Sequence, residues 1–398
     1  MVNAVHANDL RLLRVDQIGS LAAPPALRGV IEQHALDAAS DDDLRVAVDD
    51  AIRDVIGKQD ALGFPVVTDG EFRRRNFQDS FGSAVSGYDE PPDVSRAYRD
   101  RIREINDKPL ERAEQNFGAE GPAIVMRRPV RERLKLVRNI PLEEFRFAQP
   151  LTANTVKATI LSPDRIVQRF AYEDSRSVYP DVDAFLADVV TIERQMIAEL
   201  IAAGCRYIQI DAPGYTAYVD DVSLERMRSR GEDPQCNLER SLRAENALIE
   251  GFDDVVFGLH VCRGNARTTD PATGKLMPQW HREGAYDAIA EHVFGTLQHD
   301  RLLLEYDSDR AGSFEPLRFV RNDAVVVLGL VTTKSPNLEP EATLRARIED
   351  AARYVSLDRL ALSPQCGFGG SSHMPVLDED DQWRKFERIL TTAEAVWR

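Results

Sequence analysis

Short, largely apolar runs alternate with longer amphipathic segments along most of this chain. Apolar runs of this length are typical of buried strands, and the amphipathic segments repeat with the period of a helix. The predicted strands are 14–20, 66–71, 156–161, 207–211, 255–262, 302–305, 324–331 and 360–363, and the predicted helices are 41–62, 181–203, 238–251, 285–298, 341–355 and 382–397. Eight strands alternating with helices predict an α/β protein with a (β/α)8 TIM-barrel fold.

One stretch, residues 80–151, breaks this alternation because its charged residues are dense and its pattern is irregular. It follows the second predicted strand, so we expect an insertion within a single domain of residues 1–398. An insertion at that position would lie over the mouth of the barrel. We therefore expect it to act as a lid or as a contact in a homodimer.

The bulk composition narrows the class of protein. The net charge of −16 at pH 7 disfavours nucleic acid as a partner, because phosphates call for a basic surface. The chain has no apolar run long enough for a membrane span, and its first residues lack the apolar core of a signal peptide. Its four cysteines are not spaced as a disulfide framework. We expect a cytoplasmic protein that acts on small molecules.

Three of the predicted strands finish with side chains that bind metals. His260 and Cys262 lie two residues apart in one strand, and such residues point to the same face. Glu305 ends the next strand, and Cys366 follows the last one. Zinc accepts imidazole, thiolate and carboxylate ligands, and barrel enzymes carry their chemistry at the C-terminal ends of strands. The sequence therefore predicts a zinc site.

Each of these residues also has an ordinary interpretation. A single cysteine is most often a small buried apolar residue, and a glutamate at a strand end is usually solvated or ion-paired. A non-catalytic barrel with a structural zinc ion is a further alternative. Structural sites usually have closed Cys- and His-rich shells on short loops. The predicted ligands here are far apart in the sequence and include a carboxylate, which favours a catalytic site.

The motifs, taken in order, resemble the C-terminal catalytic barrel of cobalamin-independent methionine synthase and its single-barrel relatives. They are Ile-Gly-Ser at 18–20, Thr-Asp-Gly-Glu at 68–71, Ile-Gln-Ile-Asp at 208–211, His-Val-Cys at 260–262, Glu305, Lys-Ser-Pro-Asn at 334–337 and Cys-Gly at 366–367. The resemblance covers nearly the whole chain outside 80–151. It implies that zinc is bound by His260, Cys262, Glu305 and Cys366. It also implies that the amino-acid part of homocysteine is held by Ile18, Ser20, Glu71 and Asp211.

The resemblance and the ligand types imply the same chemistry. Two thiolates and one carboxylate contribute about −3 in charge against +2 for zinc, so the ion is a poor Lewis acid for hydrolysis. It can still lower the pKa of a bound thiol, whose sulfur then attacks a carbon electrophile. We therefore expect Zn²⁺ as the cofactor and alkyl transfer, methyl in the first instance, from a small-molecule donor to a small-molecule thiol.

The chain departs from the family pattern at two positions. The second acidic residue of the family's Ile-Gln-Ile-Asp-Glu-Pro motif is Ala212, and the histidine before Ser-Pro-Asn is replaced by Lys334. A lysine can donate a proton as a catalytic residue, or it can pair with an anionic group of the substrate. The single-barrel relatives include epoxyalkane:coenzyme M transferase. An epoxide:thiol transferase or a C–S lyase therefore stays open as an alternative activity.

Overall fold

The computed structural model of this chain describes residues 9–74, 77, 79–89, 128–264, 267–269, 276–278, 282–369 and 377–398. The strands are β1 (Val66–Val67), β2 (Val85–Tyr88), β3 (Val130–Leu136), β4 (Thr155–Val156), β5 (Ala158–Leu161), β6 (Tyr207–Asp211), β7 (Val256–Val261), β8 (Arg267–Thr269), β9 (Leu276–Pro278), β10 (Arg301–Glu305), β11 (Val325–Val331) and β12 (Leu360–Pro364). The α-helices are α1 (Pro25–Ala35), α2 (Asp41–Leu62), α3 (Asp79–Gly82), α4 (Ile140–Ala148), α5 (Pro163–Gln168), α6 (Val182–Ala202), α7 (Asp221–Ser229), α8 (Pro234–Ile249), α9 (Ala290–Thr296), α10 (Glu341–Ala351) and α11 (Glu379–Val396).

A parallel sheet forms the centre of the molecule, in the order β12-β11-β10-β7-β6-β5. At one edge, β5 continues the chain of β4, which pairs in parallel with β1. At the other edge, Val15 forms an isolated parallel bridge with Leu362 of β12. Parallel pairing with helical connections is the pattern of an α/β fold, and the predicted α/β class is confirmed.

The first predicted strand, 14–20, is not a regular strand. The backbone N–H of Gln17 donates to the carboxylate of Asp16 at 2.9 Å, so it does not join a ladder. Individual hydrogen bonds, rather than a strand ladder, connect this part of the chain to β1 and to the residues that follow β1. The Gln17 amide donates to the Val66 carbonyl at 2.9 Å, and the Leu21 N–H donates to the Gly70 carbonyl at 3.1 Å.

Two other predicted strands differ from those observed. The strand predicted at 66–71 ends at Val67, and Glu71 further on has a left-handed backbone with φ of 59°. The strand predicted at 156–161 is divided at Lys157, because the chain pairs with β1 before it and with β6 after it. The remaining five predicted strands are observed with ends shifted by at most a residue.

The helix ends follow local signals where those signals are strong. The α2 helix begins at Asp41 as predicted, since Ser40 and Asp43 form a reciprocal capping box. It ends before Gly63, which adopts a left-handed φ of 84°. The α8 helix begins earlier than predicted because Asp233 caps it ahead of Pro234. Within the described part of the chain, no helix is long and apolar enough to cross a bilayer.

The described part of the 80–151 stretch packs against the body of the molecule. The antiparallel pair β2–β3 places Val130 and Leu134 in a buried apolar cluster with Phe185 and Val189 of α6. The α4 helix buries its apolar face in the main core. Residues 90–127 lie outside the described residues, so the predicted lid stays a prediction.

Candidate metal centre

The C-terminal ends of β7 and β12 bring together three of the four predicted metal ligands. His260 lies in β7, Cys262 directly follows β7, and Cys366 follows β12 by two residues. His260 and Cys262 are buried. Because β7, β10, β11 and β12 are consecutive parallel strands, their carboxyl ends meet at one edge of the sheet. Side chains that are far apart in the sequence are neighbours there.

These three residues have the geometry of a metal-binding group. One nitrogen or sulfur atom from each of His260, Cys262 and Cys366 lies within 4.8 Å of the others. The two sulfur atoms are 3.7 Å apart, well beyond the roughly 2.05 Å of a disulfide bond. The two cysteines are therefore separate thiols, and all three side chains are available as candidate ligands.

The orientation of the His260 ring supplies a ligand atom. Its Nδ1 lies 3.3 Å from the carbonyl oxygen of Leu303. A carbonyl only accepts, so Nδ1 carries a proton, and in the neutral ring Nε2 keeps its lone pair. Nε2 is buried and has no hydrogen-bond partner among the described residues. A buried nitrogen with an unused lone pair, beside two thiols, is suited to a metal ion.

The electrostatics of the two thiols require a shared proton or a cation. The hydrogen bond from Cys366 holds the pKa of the Cys262 thiol well below its ordinary value. The same contact, together with burial, raises the pKa of Cys366 well above its ordinary value. Two thiolates 3.7 Å apart would repel by about 4–5 kcal/mol at an effective dielectric constant of 20. A bound divalent cation would remove this repulsion.

Glu305, the fourth predicted ligand, lies outside this group. Its Oε2 accepts a hydrogen bond from the backbone N–H of Arg263 at 2.9 Å. Its Oε1 accepts one from the Arg310 guanidinium at 2.8 Å. The carboxylate at the end of β10 is thus held by the protein on both oxygens, and its predicted ligand role stays a prediction.

Lys334 is a buried cation beside Glu305. Its Nζ lies 3.5 Å from Glu305 Oε1 and 3.6 Å from Asp307 Oδ2. Its ammonium therefore pairs with carboxylates of the chain itself. Sequence reasoning missed Asp307 and Arg310. The signal that could have found them is the run of charged residues directly after β10, since active-site residues of such folds lie at the C-terminal ends of the parallel strands.

Asp211 and Glu71 place two buried carboxyl groups close to the metal group. Asp211 ends β6 and is in register with His260 of β7. Burial raises the pKa of Asp211, and the nearby Glu71 carboxylate raises it further. Burial also raises the pKa of Glu71, whose Oε1 accepts a 2.8 Å hydrogen bond from the Thr159 hydroxyl. Two desolvated carboxyl groups favour a nearby cation. For Glu71 the chain itself supplies one, because the Arg74 guanidinium lies 3.9 Å from Oε1, so an ordinary ion pair stays an alternative to a substrate role for Glu71.

The structure separates the remaining two predicted substrate residues. The side chain of Ile18 lies in a small buried cluster with residues such as Leu303 and Val327, so only its backbone is available to a ligand. Ser20 lies beside the chain that leaves Cys366. Its carbonyl accepts from the Phe368 N–H at 2.8 Å, and a Cβ atom on Gly367 would be 2.0 Å from its hydroxyl oxygen.

The structure thus defines a parallel α/β protein in which His260, Cys262 and Cys366 form a group that could hold a metal ion. Comparison with known proteins identifies the family to which the chain belongs. No family model matches the chain. The uncharacterized protein YxjH of Bacillus subtilis is 33% identical over 388 residues, which cover 97% of this chain and 95% of YxjH. The methionine synthase of Sulfurisphaera tokodaii is 23% identical over 90% of this chain and 87% of that protein.

Solved structures agree on the fold. A protein described as a vitamin-B12-independent methionine synthase from Listeria monocytogenes superposes with a TM-score of 0.70 at 24% identity, over 98% of this chain and 100% of that one. A B12-independent methionine synthase from Shewanella sp. W3-18-1 gives a TM-score of 0.66 at 18% identity, over 97% of each chain. This chain belongs to the cobalamin-independent methionine synthase-like family that includes YxjH.

Proposed function

We propose that this protein is a zinc-dependent transferase that moves an alkyl group, methyl in the first instance, to the sulfur of a small-molecule thiol. The observation that carries the proposal is the spacing of Cys262 and Cys366. Two thiolates bound to one zinc ion at about 2.3 Å in tetrahedral geometry lie about 3.8 Å apart, and the two sulfur atoms are 3.7 Å apart. The methionine synthases among the relatives support methyl transfer.

We also propose that the sheet closes into the predicted (β/α)8 barrel. The support is the set of hydrogen bonds between the segment around Val15 and the segment that follows β1, including Leu21 N–H to the Gly70 carbonyl at 3.1 Å. Val15 itself pairs with β12. Closure along this line would put Glu71, Asp211 and the metal group on the same C-terminal rim.

Each residue has a proposed task in this reaction. Zinc, when bound, lowers the pKa of a coordinated thiol. His260, Cys262 and Cys366 would hold the ion by three ligands. In the observed arrangement Arg263 and Arg310 hold Glu305, so a fourth position is available to the incoming thiol.

The carboxyl groups of Glu71 and Asp211 suit a thiol that carries an ammonium group, such as homocysteine. They disfavour a thiol that carries an anion alone, such as coenzyme M. Lys334 does not alter this preference, because Glu305 and Asp307 already balance its charge. The epoxide:coenzyme M alternative is therefore the second candidate, and its support is the sequence departure at position 334, where lysine replaces the histidine of the family pattern.

The test begins with zinc content per chain, followed by titration of the zinc protein with homocysteine, coenzyme M and glutathione while proton release is measured. We expect one zinc ion per chain and saturable release of one proton with homocysteine. Cys262→Ser and Cys366→Ser should lose the zinc and keep the fold. The matched control is Cys236→Ser, because Cys236 is exposed and outside the metal group. Unfolding on zinc removal would support a structural ion, and saturation by coenzyme M alone would support the epoxide transferase.

A further inference from the structure

Gln209 has a buried side-chain amide that lies between Lys157 and two candidate substrate residues, Ile18 and Asp211. It lies in β6 two residues before Asp211 and has no exposed surface. Its Oε1 accepts a hydrogen bond from the Lys157 ammonium at 2.7 Å. Its Nε2 donates to the Ile18 carbonyl at 2.5 Å and to Asp211 Oδ1 at 2.7 Å. One side chain thus contacts two separate parts of the candidate substrate site.

The partners of this amide determine which way it points. An ammonium group only donates, so the amide oxygen must face Lys157. A carbonyl and a carboxylate only accept, so the amide nitrogen must face Ile18 and Asp211. Neither a carboxylate nor an ammonium at position 209 could satisfy both sides. Glutamine matches this environment because it combines an acceptor and a donor in one planar group.

Lys157 is itself held in place by hydrogen bonds to Asp16 and Gln17. Its Nζ donates to Asp16 Oδ1 at 2.8 Å and also to the Gln17 carbonyl. The other oxygen of Asp16 accepts from the Tyr207 hydroxyl at 2.5 Å and from Arg301 at 3.2 Å. Lys157, Asp16 and Arg301 have fully buried side chains. This network gives the lysine a fixed position, so the orientation of the Gln209 amide does not depend on the substrate.

We propose that Gln209 is a positioning residue that fixes the Asp211 carboxylate and the backbone of residues 18–20 relative to each other before the thiol binds. The inference rests on the proposed function, in which Asp211 takes the substrate ammonium group. Gln209 need not touch the substrate. Its N–H groups hold Asp211 Oδ1 and leave Oδ2 for the ligand, and preorganised polar groups of this kind cost no rearrangement on binding.

The informative variants separate the role of the amide oxygen, which accepts from Lys157, from that of the amide nitrogen, which donates to Ile18 and Asp211. Gln209→Glu keeps an oxygen for Lys157 but removes both donors, which places an acceptor against Asp211. Gln209→Met removes both the acceptor oxygen and the donor nitrogen. Gln209→Asn keeps the amide but is too short to reach both sides. The matched control is Asn139→Asp, because Asn139 is a buried amide that likewise donates to a carbonyl, that of Met196, and to a carboxylate, that of Glu199, away from the candidate substrate residues.

The experiment measures binding of two thiols to the zinc-loaded proteins by calorimetry. The first is L-homocysteine, and the second is 4-mercaptobutanoate, which has the same carbon chain and carboxylate without the ammonium group. A buried hydrogen bond to a charged group corresponds to about ten- to a hundredfold in affinity. In the Gln209 variants we expect the preference for homocysteine over 4-mercaptobutanoate to fall by about that factor. Zinc content and circular dichroism should match the wild type.

The outcomes separate the inference from the proposed function. If the wild-type protein binds neither thiol, the proposed function fails and the inference fails with it. If the wild type prefers homocysteine and folded Gln209 variants keep that preference within twofold, only the inference is overturned. The same conclusion follows if Asn139→Asp loses the preference to the same extent. If no Gln209 variant folds with zinc bound, the amide is structural, and the positioning role is rejected.

Discussion

Replacing Lys334 by methionine tests the ion-pair network beside the metal group. The ammonium lies 3.5 Å from Glu305 and 3.6 Å from Asp307, and its side chain is 5% exposed. At an effective dielectric constant of 20, each pair has a Coulomb energy of about 4–5 kcal/mol before desolvation is counted. Removing one partner of a buried pair typically costs about 3–5 kcal/mol, because a charge is left without compensation. We expect Lys334→Met to lower the free energy of unfolding by that amount.

The assay is urea unfolding of the zinc-loaded protein, combined with zinc analysis. Lys334→Met leaves Glu305 with its bond to Arg310 but takes the ammonium away from Asp307. Adding Asp307→Asn removes that carboxylate charge, so the double variant should recover about 1–2 kcal/mol. Lys385→Met is the matched control. Lys385 is also buried and pairs with Glu339 at 3.1 Å, so it should cost similar stability. Both single variants should retain one zinc ion per chain, since neither lysine is a ligand.

The kinetic result separates the roles that the sequence left open for Lys334. A substrate-anion contact made equally in ground and transition states would raise KM and leave kcat unchanged, whereas proton delivery would lower kcat alone. Unfolding of Lys334→Met at the wild-type urea concentration, with no gain from Asp307→Asn, would refute the ion-pair account.

Three further predictions concern a buried histidine and two residues near the metal group. Burial lowers the pKa of His299 to about 3, so the folded state resists its protonation while the unfolded state accepts a proton below about pH 6.5. The wild-type protein should therefore lose about 2 kcal/mol of unfolding free energy through His299 between pH 7 and pH 5. His299→Leu should not show this loss, which urea unfolding at both pH values measures. Gly367→Ala would push Ser20 away and should weaken homocysteine binding in calorimetry while zinc content stays unchanged. Arg310→Met removes a 2.8 Å bond to Glu305, which frees that oxygen as a ligand and should tighten zinc binding in a chelator competition. Unchanged zinc affinity would contradict a ligand role for Glu305.

Local and periodic signals were sufficient for much of the fold. The capping box at Ser40 and the glycine at 63 define α2 to the residue. The apolar runs that became β7, β10 and β12 were recognisable because strands buried on both faces read as continuous apolar sequence. His260 and Cys262 lie at the end of β7 and Cys366 lies just after β12, so their convergence could be predicted from strand ends. The same reasoning added Glu305 at the end of β10, whose ligand role stays a prediction.

Features that depend on pairing between distant residues could not be predicted in the same way. The 14–20 segment has strand-like composition, but the Asp16 side chain takes the Gln17 N–H out of any ladder. The left-handed backbone at Glu71 has no local sequence signal, since glutamate rarely adopts it. The hydrogen bonds of Glu305 to Arg263 and Arg310 depend on side-chain directions that strand assignment does not give.

The central claim is that His260, Cys262 and Cys366 bind one zinc ion with a position open to a thiol. X-ray absorption spectroscopy at the zinc edge tests it most directly. We predict two sulfur ligands at about 2.3 Å and one imidazole nitrogen at about 2.0–2.1 Å. Homocysteine should add a third sulfur, and any metal retained by Cys366→Ser should show one sulfur fewer. A purified protein without zinc, or a zinc ion without sulfur ligands, would contradict the account.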